Sequence, residues 1–223
     1  EMREPFWIIA AVAISTFLLT LILVSRGFDA GWRATFHTFT SSLASATSII
    51  STTGLSVSVS AQTIIPYLLL LALAFVGGGR FSTAGGLKMF RAVSMLQQIG
   101  RELQLLIYPH GVRPARYGEE RADSELIHSI WITFAVSMIA LGAVAILLAA
   151  AGLTLPGALM ASAGALSNIG PVYDMARIAS FPNAPAYSEM SAFAHLILCL
   201  GMIAGRVEIL ALLTIFNLAN WRN

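Results

Sequence analysis

Nineteen consecutive residues, Phe6 to Val24, carry no charge. A helix of that length covers most of the roughly 30 Å hydrocarbon core of a bilayer. The run is longer than the ~7–15-residue apolar core of a signal peptide, and no small-x-small cleavage site follows it, so it reads as a retained span. Leu126–Leu153 is likewise free of Asp, Glu, Lys and Arg, and Phe193–Phe216 is apolar apart from His195 and the pair Arg206 and Glu208. Only 11% of the residues are charged and 57% are hydrophobic, against about 25% charged in a soluble domain. The chain therefore reads as an integral membrane protein. That sets a strict condition, because lipid satisfies no backbone N–H or C=O group. Non-helical backbone at membrane depth persists only when buried in protein or lining a watery path.

Ser51-Thr52-Thr53-Gly54 tests that condition. It follows the apolar run Leu43 to Ile50 and precedes a hydrophobic segment that starts at Ile64. The approach, Arg33 to Ile50, interleaves Thr35, His37, Thr38, Thr40, Ser41, Ser42, Ser45, Thr47 and Ser48 with Phe36, Phe39, Leu43, Ile49 and Ile50. It is too polar to face lipid and too apolar for a solvent loop. A re-entrant half-helix inside a bundle fits both facts, with Ser56, Ser58 and Ser60 leading back outward. Ile64–Val76 is too short to span, and runs into Gly77-Gly78-Gly79-Arg80-Phe81-Ser82-Thr83-Ala84-Gly85-Gly86. Five glycines do not sustain a helix, so this one is expected to break at depth. From Leu87 an amphipathic pattern resumes, with Phe90, Val93, Leu96, Ile99, Leu103 and Leu106 three or four apart.

Seven of the thirteen Lys and Arg lie between Arg80 and Arg121. Membrane topology explains that cluster before nucleic-acid binding does, and it marks the cytoplasmic side. Pro109 to Asp123 is the polar connection. After Leu126–Leu153, the segment Thr154–Ser167 reads as a second half-helix, with Pro156 near its start. It ends at Asn168-Ile169-Gly170-Pro171. Val172–Ser188 is expected to be an outer loop, and Phe193–Phe216 the last span, with Trp221 at the cytoplasmic interface. Both termini then lie in the cytoplasm.

The order of span, half-helix, turn and span occurs twice. Gly54 and Gly170 are 116 residues apart, and Phe6 and Leu126 are 120 apart. This near-constant offset supports an internal repeat, with units at 5–108 and 125–223 joined by a cytoplasmic linker at 109–124. The expected fold class is an all-α integral membrane protein of helix–re-entrant pore helix–helix repeats, a bundle with two re-entrant pore loops.

A half-helix whose C-terminus points to the membrane centre places its negative dipole end there, which favours a cation. A turn beyond it can aim carbonyls into a pore and replace a hydration shell. Neither turn holds a carboxylate, so a monovalent cation is the better guess; the bland alternative is an ordinary Ser/Thr/Gly outer loop. Gly77–Gly86 reads as a gate, as an ion-binding break, or as the end of a short span. It is no phosphate loop, because Leu87 separates Gly86 from Lys88. Arg206 sits mid-span and should face the bundle interior, with the carbonyls freed at Gly77–Gly86 as partners; otherwise it snorkels. His37, His110, His128 and His195 are scattered and read as structural. Cys199 is alone, so no intrachain disulfide forms. No catalytic constellation is present, and the chain does not read as an enzyme.

Together, Ser51-Thr52-Thr53-Gly54, Gly77-Gly78-Gly79 through Gly85-Gly86-Leu87-Lys88, Ala165-Leu166-Ser167-Asn168-Ile169-Gly170-Pro171 and Gly205-Arg206-Val207-Glu208 resemble the third- and fourth-repeat motifs of the TrkH/KtrB potassium-uptake family, within the Trk/Ktr/HKT superfamily. The resemblance covers essentially the whole chain. It implies four repeats around one pore, each giving one filter strand, and K⁺ as the transported ion with no covalently bound cofactor. Thr52, Thr53 and Gly54 match the third strand; Asn168, Ile169 and Gly170 match the fourth. It also implies that Gly77, Gly78, Gly79, Gly85 and Gly86 belong to an intramembrane gating loop, and that Arg206 contacts it. The implied partners are the N-terminal pore repeats, a second copy in a homodimer, a cytoplasmic nucleotide-binding ring of the TrkA/KtrA type, and the lipid of a bacterial inner (plasma) membrane. Ser167 stands where the family often has glycine, and Arg80 where a small residue is common. The chain does not begin with Met and is expected to be the C-terminal half of a potassium-uptake, or sodium-permeable, transporter. The rivals are an ion-coupled secondary transporter with discontinuous helices and a non-transporting membrane subunit.

Overall fold

The computed structural model describes residues 4–25, 32–55, 66–79, 85–107, 116–117, 120–121, 124–181 and 183–207. Expectations for Ser56, Ser58, Ser60, Arg80, most of the linker, Glu208 and Trp221 fall outside that set. The helices are α1 (Glu4–Ser25), α2 (Trp32–Ile50), α3 (Tyr67–Phe75), α4 (Met89–Ile107), α5 (Ser124–Ala150), α6 (Leu155–Ser167), α7 (Pro171–Ser180) and α8 (Ala192–Arg206). Tyr187–Glu189 adds a 3₁₀ turn. The linker contributes a two-residue antiparallel pair, Arg116 with Arg121 and Tyr117 with Glu120. The fold is otherwise helical among the described residues.

Among the described residues, two helices are long and apolar enough to cross a membrane, over Pro5–Ser25 and Ile127–Ala150. Both carry large apolar side chains outward, among them Ile9, Phe17, Ile139 and Ile146. That is the pattern of a helix solvated by lipid rather than water. The centre of the second unit is α6. Ala158, Met160, Ala161, Ser162 and Ala163 have no exposed surface, and α3, α5, α7 and α8 all pack on this helix. Its small residues let neighbouring backbones come close, which is how helices gain packing energy when lipid removes the hydrophobic drive.

In α2 the polar face is the inner one. Thr38, Ser41, Ser42, Ser45 and Ser48 are buried, while Phe36, Phe39 and Leu43 are exposed. The buried set recurs at three- and four-residue spacing, so it forms one stripe of the helix. α2 packs on α1, whose buried residues include Ser15 and Thr16. Several hydroxyls fold back on their own helix: Thr16 Oγ1 donates to Val12 O at 2.7 Å and Ser41 Oγ to His37 O at 2.8 Å. These bonds satisfy the Thr16 and Ser41 hydroxyls, leave that of Ser42 without a partner, and allow a close α1–α2 contact.

One expectation is corrected. Val172–Ser188 is not a plain loop, because its first part is helical, in α7. Pro171 lies in the first turn, where its missing N–H is one of the unpaired donors anyway. Val172, Met175 and Ala176 then fall on one face and are buried with Tyr173. Their three- and four-residue spacing is readable in the sequence, but a proline after Asn168-Ile169-Gly170 reads first as a turn residue.

Candidate functional site

The ends of α2 and α6 have the same backbone at an offset of 116 residues. Thr52 N–H donates to Ile49 O at 3.0 Å and Thr53 N–H to Ser48 O at 3.0 Å. In the second unit Asn168 N–H donates to Ala165 O at 3.1 Å and Ile169 N–H to Gly164 O at 2.8 Å. Thr52 and Asn168 take left-handed conformations, φ 59° and 57°, and no other non-glycine residue among those described has a positive φ. This is a Schellman-type closure, which satisfies two of the last carbonyls of each helix. It leaves the carbonyl of Ile50 and that of Leu166 without a partner in their own helix. An unpaired carbonyl in a dry interior costs several kcal/mol.

The glycine segment supplies both missing donors. α3 ends at Phe75, and Val76 turns extended (φ −105°, ψ 96°). Gly78 N–H donates to Ile50 O at 2.9 Å, and Gly86 N–H donates to Leu166 O at 3.1 Å. Gly78 and Gly86 each have φ +75°, which glycine reaches without the Cβ penalty. Gly77 N–H bonds Leu87 O at 3.2 Å and Leu87 N–H bonds Phe75 O at 2.9 Å, which pins the two limbs of the break together. A Cβ on Gly86 would sit 2.7 Å from Ser167 Oγ and 2.9 Å from Phe75 O. A Cβ on Gly85 would collide with Leu166 O and lie 3.0 Å from Asn168 Nδ2. Gly79, half-buried, closes the described part of the first limb.

α8 presses on the same carbonyl. A Cβ on Gly205 would lie 2.7 Å from the carbonyl carbon of Leu166, and closer still to its oxygen. One turn earlier, Gly201 faces the Ala165 Cβ, and Asn168 Nδ2 donates to Met202 O at 3.3 Å. Sequence reasoning assigned no role to Gly201 or Gly205, although their four-residue spacing is the small-xxx-small signal of close helix packing. It placed Arg206 facing the bundle interior; in this chain alone, which spans under half of its relatives, Arg206 is exposed. The face of α8 turned inward is set by the two glycines, and the next residue lies about 100° round the helix.

The two turns meet each other. A Cβ on Gly54 would lie 2.9 Å from Pro171 Cδ and 3.0 Å from Ile169 Cγ2. Beyond Asn168, however, the equivalence stops. Gly54 is left-handed at φ +73°, whereas Gly170 is right-handed helical (φ −51°, ψ −52°) and leads straight into α7. Its carbonyl accepts the Tyr187 hydroxyl at 2.9 Å. Burial pushes the Tyr187 phenol up, with Asp174 and Tyr173 adding to it, so it stays protonated as the donor. The first turn is non-helical from Thr53 to Leu55, and its hydroxyls cluster: Ser51 Oγ is bonded to Thr53 Oγ1, and Ser48 Oγ donates to Leu55 O at 2.8 Å. Among the described residues no group of His, Cys, Asp or Glu has the arrangement of a metal site.

Comparison with known proteins gives a consistent picture. A family model described as "TrkH: Cation transport protein" matches residues 10–221. The Trk system potassium uptake protein TrkH of Escherichia coli (strain K12) is 30% identical over 162 residues, which is 70% of this chain and 31% of that protein. The Trk system potassium uptake protein TrkI of Halomonas elongata is 30% identical over 205 residues, 92% of this chain and 40% of that one. The chain thus spans well under half the length of these relatives. The crystal structure of the potassium transporter TrkH from Vibrio parahaemolyticus superposes with a TM-score of 0.84 at 24% identity, covering 98% of this chain and 45% of that one.

Proposed function

The chain belongs to the TrkH cation transport family, and from that premise we propose that it forms half of a channel-like pore for potassium uptake. It is an integral membrane protein, and we read its setting as the bacterial inner membrane with both termini in the cytoplasm. The observation that carries the proposal is the pair of helix ends at Ile50 and Leu166, identically closed and both seated on one glycine-broken segment. Two negative helix ends brought to one place within the bilayer favour a cation there. The absence of carboxylates from both turns favours a monovalent one.

Thr52, Thr53 and Gly54 are the best supported filter residues, because this turn is non-helical and rich in oxygen. Asn168, Ile169 and Gly170 line the path opposite; the helical backbone and the Tyr187 bond weigh against carbonyl ligation by Gly170 in this conformation. Gly77, Gly78, Gly79, Gly85 and Gly86 form the gating segment, and Arg206 restrains it. The remaining repeats, a second copy and a nucleotide-binding ring complete the assembly.

The test uses the full-length protein. In cells lacking other potassium uptake it should restore growth at low external K⁺, and in liposomes it should conduct K⁺. Failure to restore growth with the protein present in the membrane would count against uptake. Tightly coupled flux without channel conductance would favour a secondary transporter instead.

A further inference from the structure

We propose that Leu166 O and Ser167 Oγ form a monovalent-cation site at the end of α6, and that in this structure the Gly86 amide occupies it. The proposal rests on the potassium-uptake reading only for its choice of cation. The Leu166 carbonyl ends a helix, so it carries part of the negative pole of the dipole. Its partner here is a backbone N–H, a partial positive charge on the glycine segment, at 3.1 Å. The second observation is independent. Ser167 has no exposed surface, and its hydroxyl has no hydrogen-bond partner. Buried hydroxyls are rarely left so, and each exception calls for a reason. Ser167 Oγ lies against Gly86, 2.7 Å from where a Cβ would stand. Once the segment withdraws, the carbonyl loses its donor, and the two oxygens of adjacent residues are open to one ligand.

The other helix end supports this by contrast. Ser51, 116 residues before Ser167, is exposed, and its hydroxyl is engaged by Ser48 O and Thr53 Oγ1. That end offers the Ile50 carbonyl alone. Carbonyl and hydroxyl oxygens without a carboxylate suit a weakly held monovalent ion. Cation and glycine segment therefore compete for one seat, and the permeant ion itself helps to displace the segment.

Hydrogen–deuterium exchange of the full-length protein reads this directly, because the Gly86 amide is the competing group. In N-methyl-D-glucamine chloride the peptide containing Gly86 should be protected. Replacing that cation with K⁺ should raise its exchange along a saturable curve. Ser167→Ala should move the K⁺ midpoint up by about fivefold, the worth of one ordinary ligand bond, with protection in the K⁺-free state unchanged. Ser167→Cys, of similar volume but a poor ligand for a hard cation, should give the same shift if the alanine variant does not fold. Exchange indifferent to K⁺ in the native protein would overturn the site. A midpoint that rises only in step with K⁺-free protection would also overturn it, leaving Ser167 as a mere destabiliser of the seated segment. Exchange is read without transport, so a protein that responds to K⁺ here yet carries no flux would sink the uptake reading and spare the site.

Discussion

At the end of α2, Ser51 is exposed and its hydroxyl is bonded; at the end of α6, Ser167 is fully buried and its hydroxyl is not. The same two bonds close the backbone around both, with Gly54 N–H adding a further one to Ser48 O at the first end. What differs is the number of neighbours that come to backbone contact. The Ile50 end meets the glycine segment through Gly77 and Gly78, whereas the Leu166 end meets it through Gly85 and Gly86 and also meets α8 through Gly205. Repeated local geometry thus does not imply repeated duty. The second end is a crowded seat in which three glycines are required, and the first is a looser one. That difference is open to attack at several points.

The largest effect should come from Gly205. Gly205→Ala drives a Cβ into the Leu166 carbonyl, and neither partner is a side-chain tip that can swing away. A loss of roughly 3 kcal/mol or more is expected, measurable as the detergent-solubilised melting temperature. Gly142→Ala in α5, where a Cβ meets nothing within 4 Å, should be neutral or stabilising by about 0.5–1 kcal/mol. Arg206→Ala should raise K⁺ flux in liposomes if Arg206 restrains the glycine segment. Equal costs for the 205 and 142 substitutions would erase the distinction between crowded and open helix faces.

Next is the glycine segment itself. Gly85→Ala collides with backbone at the second end, whereas a Cβ on Gly77 would lie 3.1 Å from both Ile50 O and Thr52 Cγ2 at the first, a tight but yielding fit. The Gly85 change should cut amide protection at Gly86 by roughly tenfold or more, and the Gly77 change by a few-fold at most, in line with overpacking costs of about 1–3 kcal/mol. Comparable losses at Gly78 and Gly86 would make the two ends equivalent after all.

These contacts explain how far the sequence could be read. α1 and α5 follow from uncharged runs of spanning length, and α2 from a polar–apolar mixture that suits neither lipid nor water. The break after Phe75 follows from glycine content. All of these are local properties. The Leu166 junction is not, because its partners lie about 80 residues before it and 39 after, and glycine bears no side chain to announce a contact. The inward face of α8 depends on that junction too, whereas the expectation for Arg206 comes only from the cost of a charge at mid-span. At Gly170 the same residue type serves a helix start where Gly54 serves a left-handed turn. Only the neighbours, Pro171 and the distant Tyr187, decide between them.

Tyr187→Phe tests that last decision. It removes the hydroxyl bonded to Gly170 O, which keeps only the longer Tyr173 N–H contact at 3.3 Å. A loss of about 1 kcal/mol is expected. Exchange should rise in peptides from the start of α7 and stay unchanged around Thr52–Gly54. A rise at both turns would show that they fold as one unit.

The smallest effect compares the two left-handed residues, and it should differ in sign. Thr52 is β-branched and strained at φ 59°, whereas Asn168 tolerates φ 57° and also donates to Met202 O. A left-handed L-residue costs about 1–2 kcal/mol, and asparagine least among them. Thr52→Gly removes that strain but frees the unfolded chain, so a net gain of about 0.5 kcal/mol is expected. Asn168→Gly removes little strain and one hydrogen bond, so a loss of about 1 kcal/mol is expected. Melting temperatures of the two variants read the signs directly. If both rise, the Asn168–Met202 bond contributes nothing and the second end is held by its glycine contacts alone. If both fall, the Thr52 side chain, whose methyl would face a Cβ on Gly77 at 3.1 Å, packs against the segment more firmly than its exposure suggests, and the first end is less open than the comparison requires.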